Sequence, residues 1–214
     1  MKKNIIFRVW GTKEWVGGLY YYKNIIYSLL KSKRILDKYN VTICVTKDNE
    51  KEFAEFRNQA NIEVLPQKKW LFDIIVFIKM LNPKNRYIYY LISAKYDFFF
   101  KDKGIYWIPD FQYLYYPHFF SQQEVIDRNK KYKKISKGKG KLVLSSYACK
   151  KDFEAKFSDY SVQICIVPFI SNIVSEVRGL SNDFEKSVME KYKLTSYQYI
   201  YIPNQFWQHK NHIV

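Results

Sequence analysis

Residues Gly104 to Ser121 read GIYWIPDFQYLYYPHFFS. The stretch opens as a short apolar strand, Ile105 to Ile108, closed by Pro109, which has no N–H to give to a ladder. A carboxylate, Asp110, stands at the strand's carboxyl end. An aromatic loop follows, with Tyr113, Tyr115, Tyr116, Phe119 and Phe120 around Pro117 and His118. In open α/β sheets, ligands bind in the crevice beyond the carboxyl ends of the strands. An acid and a ring-lined loop at that place suit a polyhydroxylated substrate. The same residues equally suit a hydrophobic strand and an ordinary packed loop, so the flanking elements decide.

Toward the amino terminus, Ile5 to Val9 is a compact β-branched run and reads as a buried strand. The segment WGTKEWVGGLYYYKN follows, with the pair Gly17 and Gly18 between that strand and the next helix. Tyr22, Ile26, Leu29 and Leu30 share one helical face. Glycines there let backbone approach a phosphate, and a helix amino terminus favours an anion. The pattern is not GxGxxG, and a glycine turn needed only for packing fits as well. Val41 to Thr46 is a second strand, and Asp48 is placed to cap a helix running to about Ala60. Ile62 to Leu65 is a third strand, and Leu71, Ile74, Ile75 and Ile78 have helical spacing. Asn82-Pro83 reads as a cap with proline at the first helical position, starting a helix toward Ala94. The run Tyr87 to Ile92 inside it is also β-prone, and Tyr96 to Phe100 reads as a strand.

Toward the carboxyl terminus, Gln122 to Ile135 is polar and helical, and Leu142 to Leu144 is a strand. Ser145-Ser146 can cap a helix whose Cys149, Phe153 and Phe157 share a face, and Val162 to Val167 is a further strand. Strands alternating with helices give an α/β fold: a Rossmann-like, mostly parallel sheet with helices on both faces. The expected organisation is a Rossmann-like domain over 1–170, a linker and helix over 171–198, and the start of a second domain over 199–214. In the linker, Asn182 and Glu185 resemble a capping box, and Phe184, Val188 and Tyr192 form a stripe. Tyr199 to Ile202 reads as a strand, followed by PNQFWQHKNH. Lys210 in that loop can serve a phosphate as a point charge. His209 and His212 lack a third ligand, so no metal is expected, and nothing points to a cofactor.

Hydrophobic residues make up 48% of the 214, enough for a sizeable core, and the formal net charge of +16 favours an anionic partner. Seven lysines, Lys130, Lys131, Lys133, Lys134, Lys137, Lys139 and Lys141, fall close together. They read as a solvated surface or as contacts to an anionic membrane. Cys44, Cys149 and Cys165 are far apart without a CxxC, which suggests buried thiols in a reducing compartment. The basic start MKKNIIFRVW reads as a first strand and not a signal peptide. The longest apolar run, Leu71 to Ile78, is too short to span a bilayer. The expected place is the cytoplasm, with room for a peripheral contact on the inner face of the cell membrane.

Taken together, WGTKEWVGG, WIPDFQYLYYPHFFS, LSSYACKKDF and YIPNQFWQHKNH, in this order, resemble the group 1 (family 4) glycosyltransferases of GT-B architecture, particularly bacterial enzymes of surface-polysaccharide assembly. The resemblance implies a chain that is the amino-terminal, acceptor-binding half of such an enzyme, truncated early in the donor-binding domain. It implies transfer of a sugar from a nucleotide-activated donor to a lipid-linked or polysaccharide acceptor. Gly17, Gly18 and Lys210 would lie at the donor diphosphate. Asp110 would be the catalytic residue, and Tyr113, Tyr115 and His118 would line the acceptor cleft. Where many relatives carry His-Asp, this chain has Pro109-Asp110, and Asn204 and Gln205 stand where an Arg is often found. The E-x7-E motif of the second domain is absent. The 214 residues are therefore expected to be inactive alone, with a separately encoded second domain as a candidate partner. The alternative is a basic α/β module that binds an anionic membrane or nucleic acid without catalysis. No nucleic-acid motif is present, which ranks that partner low.

Overall fold

The computed structural model describes residues 2–11, 16–91, 102–169 and 181–201. Seven strands run through it: β1 (Lys3–Arg8), β2 (Tyr39–Thr46), β3 (Asn61–Leu65), β4 (Asn85–Leu91), β5 (Gly104–Ile108), β6 (Lys141–Leu144) and β7 (Gln163–Ile166). They form one sheet in the order β3-β2-β1-β4-β5-β6-β7, and every neighbouring pair is parallel. The helices are α1 (Val16–Lys31), α2 (Lys33–Leu36), α3 (Lys69–Leu81), α4 (Gln112–Tyr115), α5 (Gln122–Ser136), α6 (Tyr147–Lys156) and α7 (Asn182–Lys191).

Strand alternation divides the core between the two faces of the sheet. Ile5, Phe7, Ile43, Tyr89 and Trp107 turn to one face and meet Leu19, Tyr22, Ile26 and Leu30 of α1. Ile6, Cys44, Ile88, Tyr106 and Ile108 turn to the other and meet Phe72 and Val76 of α3, Tyr132 and Ile135 of α5, and Phe153 of α6. With apolar layers on both sides, these strands are the near-continuous hydrophobic runs that a parallel sheet requires. The expected Rossmann-like α/β fold is the observed one.

Several local expectations are corrected. Residues 85–91 are strand β4, not helix. Asn82 Oδ1 accepts from the N–H of Lys84 at 3.0 Å, so its side chain closes a turn instead of capping a helix. The aromatic and β-branched run that follows is then held between β1 and β5. The helix expected from Asp48 shrinks to a 3₁₀ helix, Lys51–Phe56, because Asp48 Oδ1 takes a hydrogen bond from Gln67 Nε2 at 3.0 Å. The strand expected at 96–100 lies outside the described residues. Ser146 caps α6 as expected, and Cys149, Phe153 and Phe157 are buried on it. All three cysteines are free; Cys44 and Cys149 are buried and Cys165 is half-buried.

Contacts group the chain into a unit of Met1–Ile170 and a unit of Ser171–Val214. In the second unit, Ser181 and not Asn182 is the cap of α7, its hydroxyl accepting from the N–H of Phe184 at 3.3 Å. None of the α7 side chains is buried. Tyr199, Ile200 and Tyr201 are exposed and form no strand, so the strand expected there is absent from its described residues.

Candidate functional site

The strand order reverses at β1, which pairs with β2 on one side and β4 on the other. A crevice beyond the carboxyl ends of the strands opens at such a reversal. Here that edge carries Val9, Trp10 and Gly11 after β1, Pro109 and Asp110 after β5, and Ser145 and Ser146 after β6. Gly11 adopts φ +70°, a left-handed conformation in which a side chain would be strained.

Gly17 and Gly18 do not form a turn before the helix. They lie within the first turn of α1, Gly17 exposed and Gly18 buried. That turn carries no acidic side chain. The first N–H groups of a helix have no intrahelical partner, and the dipole places partial positive charge there. Among the described residues, no acidic side chain of that first turn competes with an anion there.

One turn further on, α1 is locked to the sheet by its tyrosines. The Tyr21 ring stacks on Trp107 of β5 with centroids 3.5 Å apart, and its hydroxyl shares a hydrogen bond with Tyr89 Oη of β4 at 2.9 Å. Burial pushes the Tyr21 and Tyr89 hydroxyls well above the usual phenol range. Tyr22 Oη donates to the Arg8 carbonyl at 2.8 Å, fixing the end of β1. The Trp107 indole N–H donates to Ser145 Oγ at 3.0 Å, which ties β5 to β6 at the same edge.

Beneath this edge lies a buried ion pair that the sequence reading missed. Arg8 Nε and Nη2 both donate to Asp73 Oδ1, at 2.8 and 2.5 Å, with the two side chains only 4% and 3% exposed. The guanidinium also lies over the Phe72 ring at 5.6 Å. The signal was available: Arg8 interrupts the apolar run IIFRV, and Asp73 interrupts WLFDIIVF. A charge inside such a run is rarely buried unless paired.

Asp110 is exposed, and its Oδ1 accepts from the N–H of Gln112 at 3.1 Å. This bond fixes the carboxylate and leaves Oδ2 without a described partner. Its charge reaches the buried Cys149 thiol, which burial pushes up to about 12. The expected aromatic loop is in fact α4 followed by a 3₁₀ turn, Pro117–Phe119. Tyr113 is buried against Phe111 and Tyr132, and its hydroxyl donates to Asn129 Oδ1 at 2.9 Å. Its ring therefore supports the segment from below. Tyr115 is exposed and its hydroxyl is hydrogen-bonded to Asp152 of α6, which raises its pKa. His118 is exposed and packs on Phe119 at 4.2 Å, while Tyr116 stacks on Phe119 at 5.7 Å. Asp110 follows β5 directly, whereas Tyr115 is tied to α6 and His118 packs within the 3₁₀ turn, so no described contact joins the three. The Tyr21–Trp107 stack places α1 on one face of β5, and Phe111 and Tyr113 pack on the other face with α5 and α6. Lys210 lies outside the described residues.

A small hollow of about 140 Å³ sits at this edge, lined by Trp10, Gly11, Thr46, Asp48, Asn49 and Gln67. A larger one, about 800 Å³, lies at the opposite edge, lined among others by Asn4, Asn40, Asn61 and Asn85. Size alone does not make the latter the site, since it is remote from the carboxyl ends of the strands.

No protein-family model matches the chain, and no curated protein matches it. Among solved structures it is similar to the crystal structure of Arabidopsis thaliana UGT89C1 complexed with UDP. The identity is 13% and the TM-score 0.54, over 89% of this chain and 56% of that one. The chain thus spans little more than half the length of that protein. The likeness is one of fold: a Rossmann-like parallel sheet with helices on both faces, the architecture expected of a GT-B amino-terminal domain.

Proposed function

We propose that this chain is the acceptor-side domain of a glycosyltransferase that uses a nucleotide-activated sugar. The observation that carries the reading is the described first turn of α1, which holds no acidic side chain, after β1 at the reversal of strand order. The UDP in the similar structure makes a nucleotide diphosphate the matching anion. In this reading the N–H groups around Gly17 and Gly18 stabilise the departing diphosphate, where charge develops as the sugar leaves. Asp110, held by Gln112, accepts the proton of the acceptor hydroxyl through its remaining oxygen. Tyr115 and His118 offer ring surface to the acceptor, a lipid-linked or polysaccharide sugar, and Tyr113 holds that surface in place. Lys210 is assigned to the diphosphate on the resemblance alone. The described residues after Ile170 offer one helix with no buried side chain.

The test is to place a carboxylate where the diphosphate should sit. Val16, the exposed first residue of α1, is changed to Glu. An acid in the first turn stabilises a helix by about 0.3–1 kcal/mol. Val16→Glu should therefore preserve or raise the melting temperature while weakening UDP binding in titration calorimetry. UDP binding that is absent in the parent chain, or unchanged in the variant, would sink the assignment.

A further inference from the structure

We propose that the outer face of α3 is a docking surface for an anionic lipid bilayer. Phe72, Val76 and Met80 of this helix face the sheet, and Asp73 turns to Arg8. At 3.6 residues per turn, the opposite half of the helix is formed by Trp70, Leu71, Ile74, Ile75, Ile78 and Leu81. That outward half is wholly apolar. Trp70, Ile78 and Leu81 are 56%, 56% and 60% exposed. A helix that is hydrophobic all round is normally buried, and a contiguous exposed apolar patch marks an interaction site.

The charge around the stripe selects the occupant. Lys68 and Lys69 stand at its start, Lys84 and Arg86 just beyond its end, and all four are exposed. Helix α5 packs on the same face of the sheet and exposes Lys130, Lys131 and Lys133. A second copy of the chain on this surface would form a self-complementary contact. It would set these cations against their own images in a chain of net charge +16. An anionic bilayer does the reverse: headgroups meet the lysines while the stripe enters the boundary of the acyl region. With α3 about 20 Å long at 1.5 Å per residue, it would lie along the surface. No described helix is long and apolar enough to cross a membrane.

Helix α3 follows β3, so its Trp70 end lies at the carboxyl edge that carries Asp110. Docking would hold the candidate crevice beside the bilayer, within reach of a lipid-linked acceptor. That consequence rests on the transferase reading; the lipid contact does not, and vesicle binding measured without any sugar separates the two.

The experiment is flotation of the full chain with vesicles of phosphatidylcholine, with or without phosphatidylglycerol. The parent chain should float with the phosphatidylglycerol vesicles only. Combined Trp70→Gln, Ile78→Gln and Leu81→Gln changes, all at exposed positions, should lower affinity about tenfold or more, or 1.4 kcal/mol, with circular dichroism unchanged. Combined Lys130→Gln, Lys131→Gln and Lys133→Gln changes should weaken binding and flatten its salt dependence. Brominated lipid should quench tryptophan fluorescence in the parent and less so in Trp70→Phe. Full binding by the apolar variant would overturn the proposal, as would equal binding of the parent to neutral vesicles. A dimer in sedimentation equilibrium that the apolar variant dissolves would assign the stripe to a second copy instead.

Discussion

Removing the charge of Asp73 should cost this fold a large part of its stability. In Asp73→Asn, the Arg8 guanidinium stays buried at 4% exposure while the anion that balances it is gone. Breaking a buried pair by removing one partner costs about 3–5 kcal/mol, because the remaining charge is left in a poorly solvating interior. Both Arg8 donors converge on a single oxygen, so both charge-assisted bonds weaken together. Against a total stability of about 5–15 kcal/mol, the loss is severe. With a urea slope of about 2 kcal/mol per molar, the midpoint should fall by about 1.5–2.5 M. Far-ultraviolet circular dichroism across a urea series is the assay. The companion variant replaces both partners, Arg8→Met with Asp73→Leu, and should recover most of the loss, since an apolar pair removes the desolvation cost along with the attraction. A loss below about 1 kcal/mol in the single variant, or a double variant no better than the single, would refute this reasoning.

Other outcomes follow from the same packing. Tyr21→Phe keeps the stack on Trp107 but leaves Tyr89 Oη buried without its partner, so stability should drop by about 1–3 kcal/mol in chemical denaturation; an unchanged midpoint would mean the hydroxyl pair is not formed in solution. Burial pushes the Cys44 and Cys149 thiols from the ordinary 9.0 up to about 12. Native thiols therefore keep protons that unfolded thiols release above pH 9, and stability should decline as pH rises from 9 toward 12. Between pH 9 and 10, ahead of the tyrosines, combined Cys44→Ala and Cys149→Ala changes should flatten that decline, and an equally steep slope in the variant would count against it. Native labelling with a thiol reagent near pH 8 should modify Cys165 well before Cys44 or Cys149, whose thiolates are scarce.

The strands were readable because this sheet is apolar on both faces, and IIFRV, VTICVT and GIYWI announce themselves without tertiary context. β4 was not, because its entry, Asn82-Pro83, carries the letters of a helix cap. Only the neighbouring Lys84 N–H, taken by the Asn82 side chain, shows it to be a turn. The Asp48 helix failed for a similar reason, since its carboxylate serves Gln67, nineteen positions away. At the candidate site, Asp110 at the end of β5 follows from strand spacing alone. The burial of Tyr113 does not, because a row of tyrosines gives no hint which ring turns inward. That depends on Asn129 and Tyr132 of the next helix. The outward stripe of α3 does not follow from the helical spacing of Leu71, Ile74, Ile75 and Ile78, because both faces of this helix are apolar and spacing alone does not say which is covered.

The position of β1 in the sheet has a consequence for how the molecule is made. Of these seven strands β1 is made first and ends up in the interior of the sheet, and one of its two edges must wait for β4, some 80 residues later. At synthesis rates of about 5–20 residues per second, that edge stays open for about 4–16 s. An unpaired, apolar strand edge is a template for pairing with other chains. The nascent chain is thus most exposed to aggregation after β2 has paired and before β4 emerges. Ribosome-bound chains halted in that interval should bind chaperones, and chains halted once β4 has cleared the exit tunnel should release them.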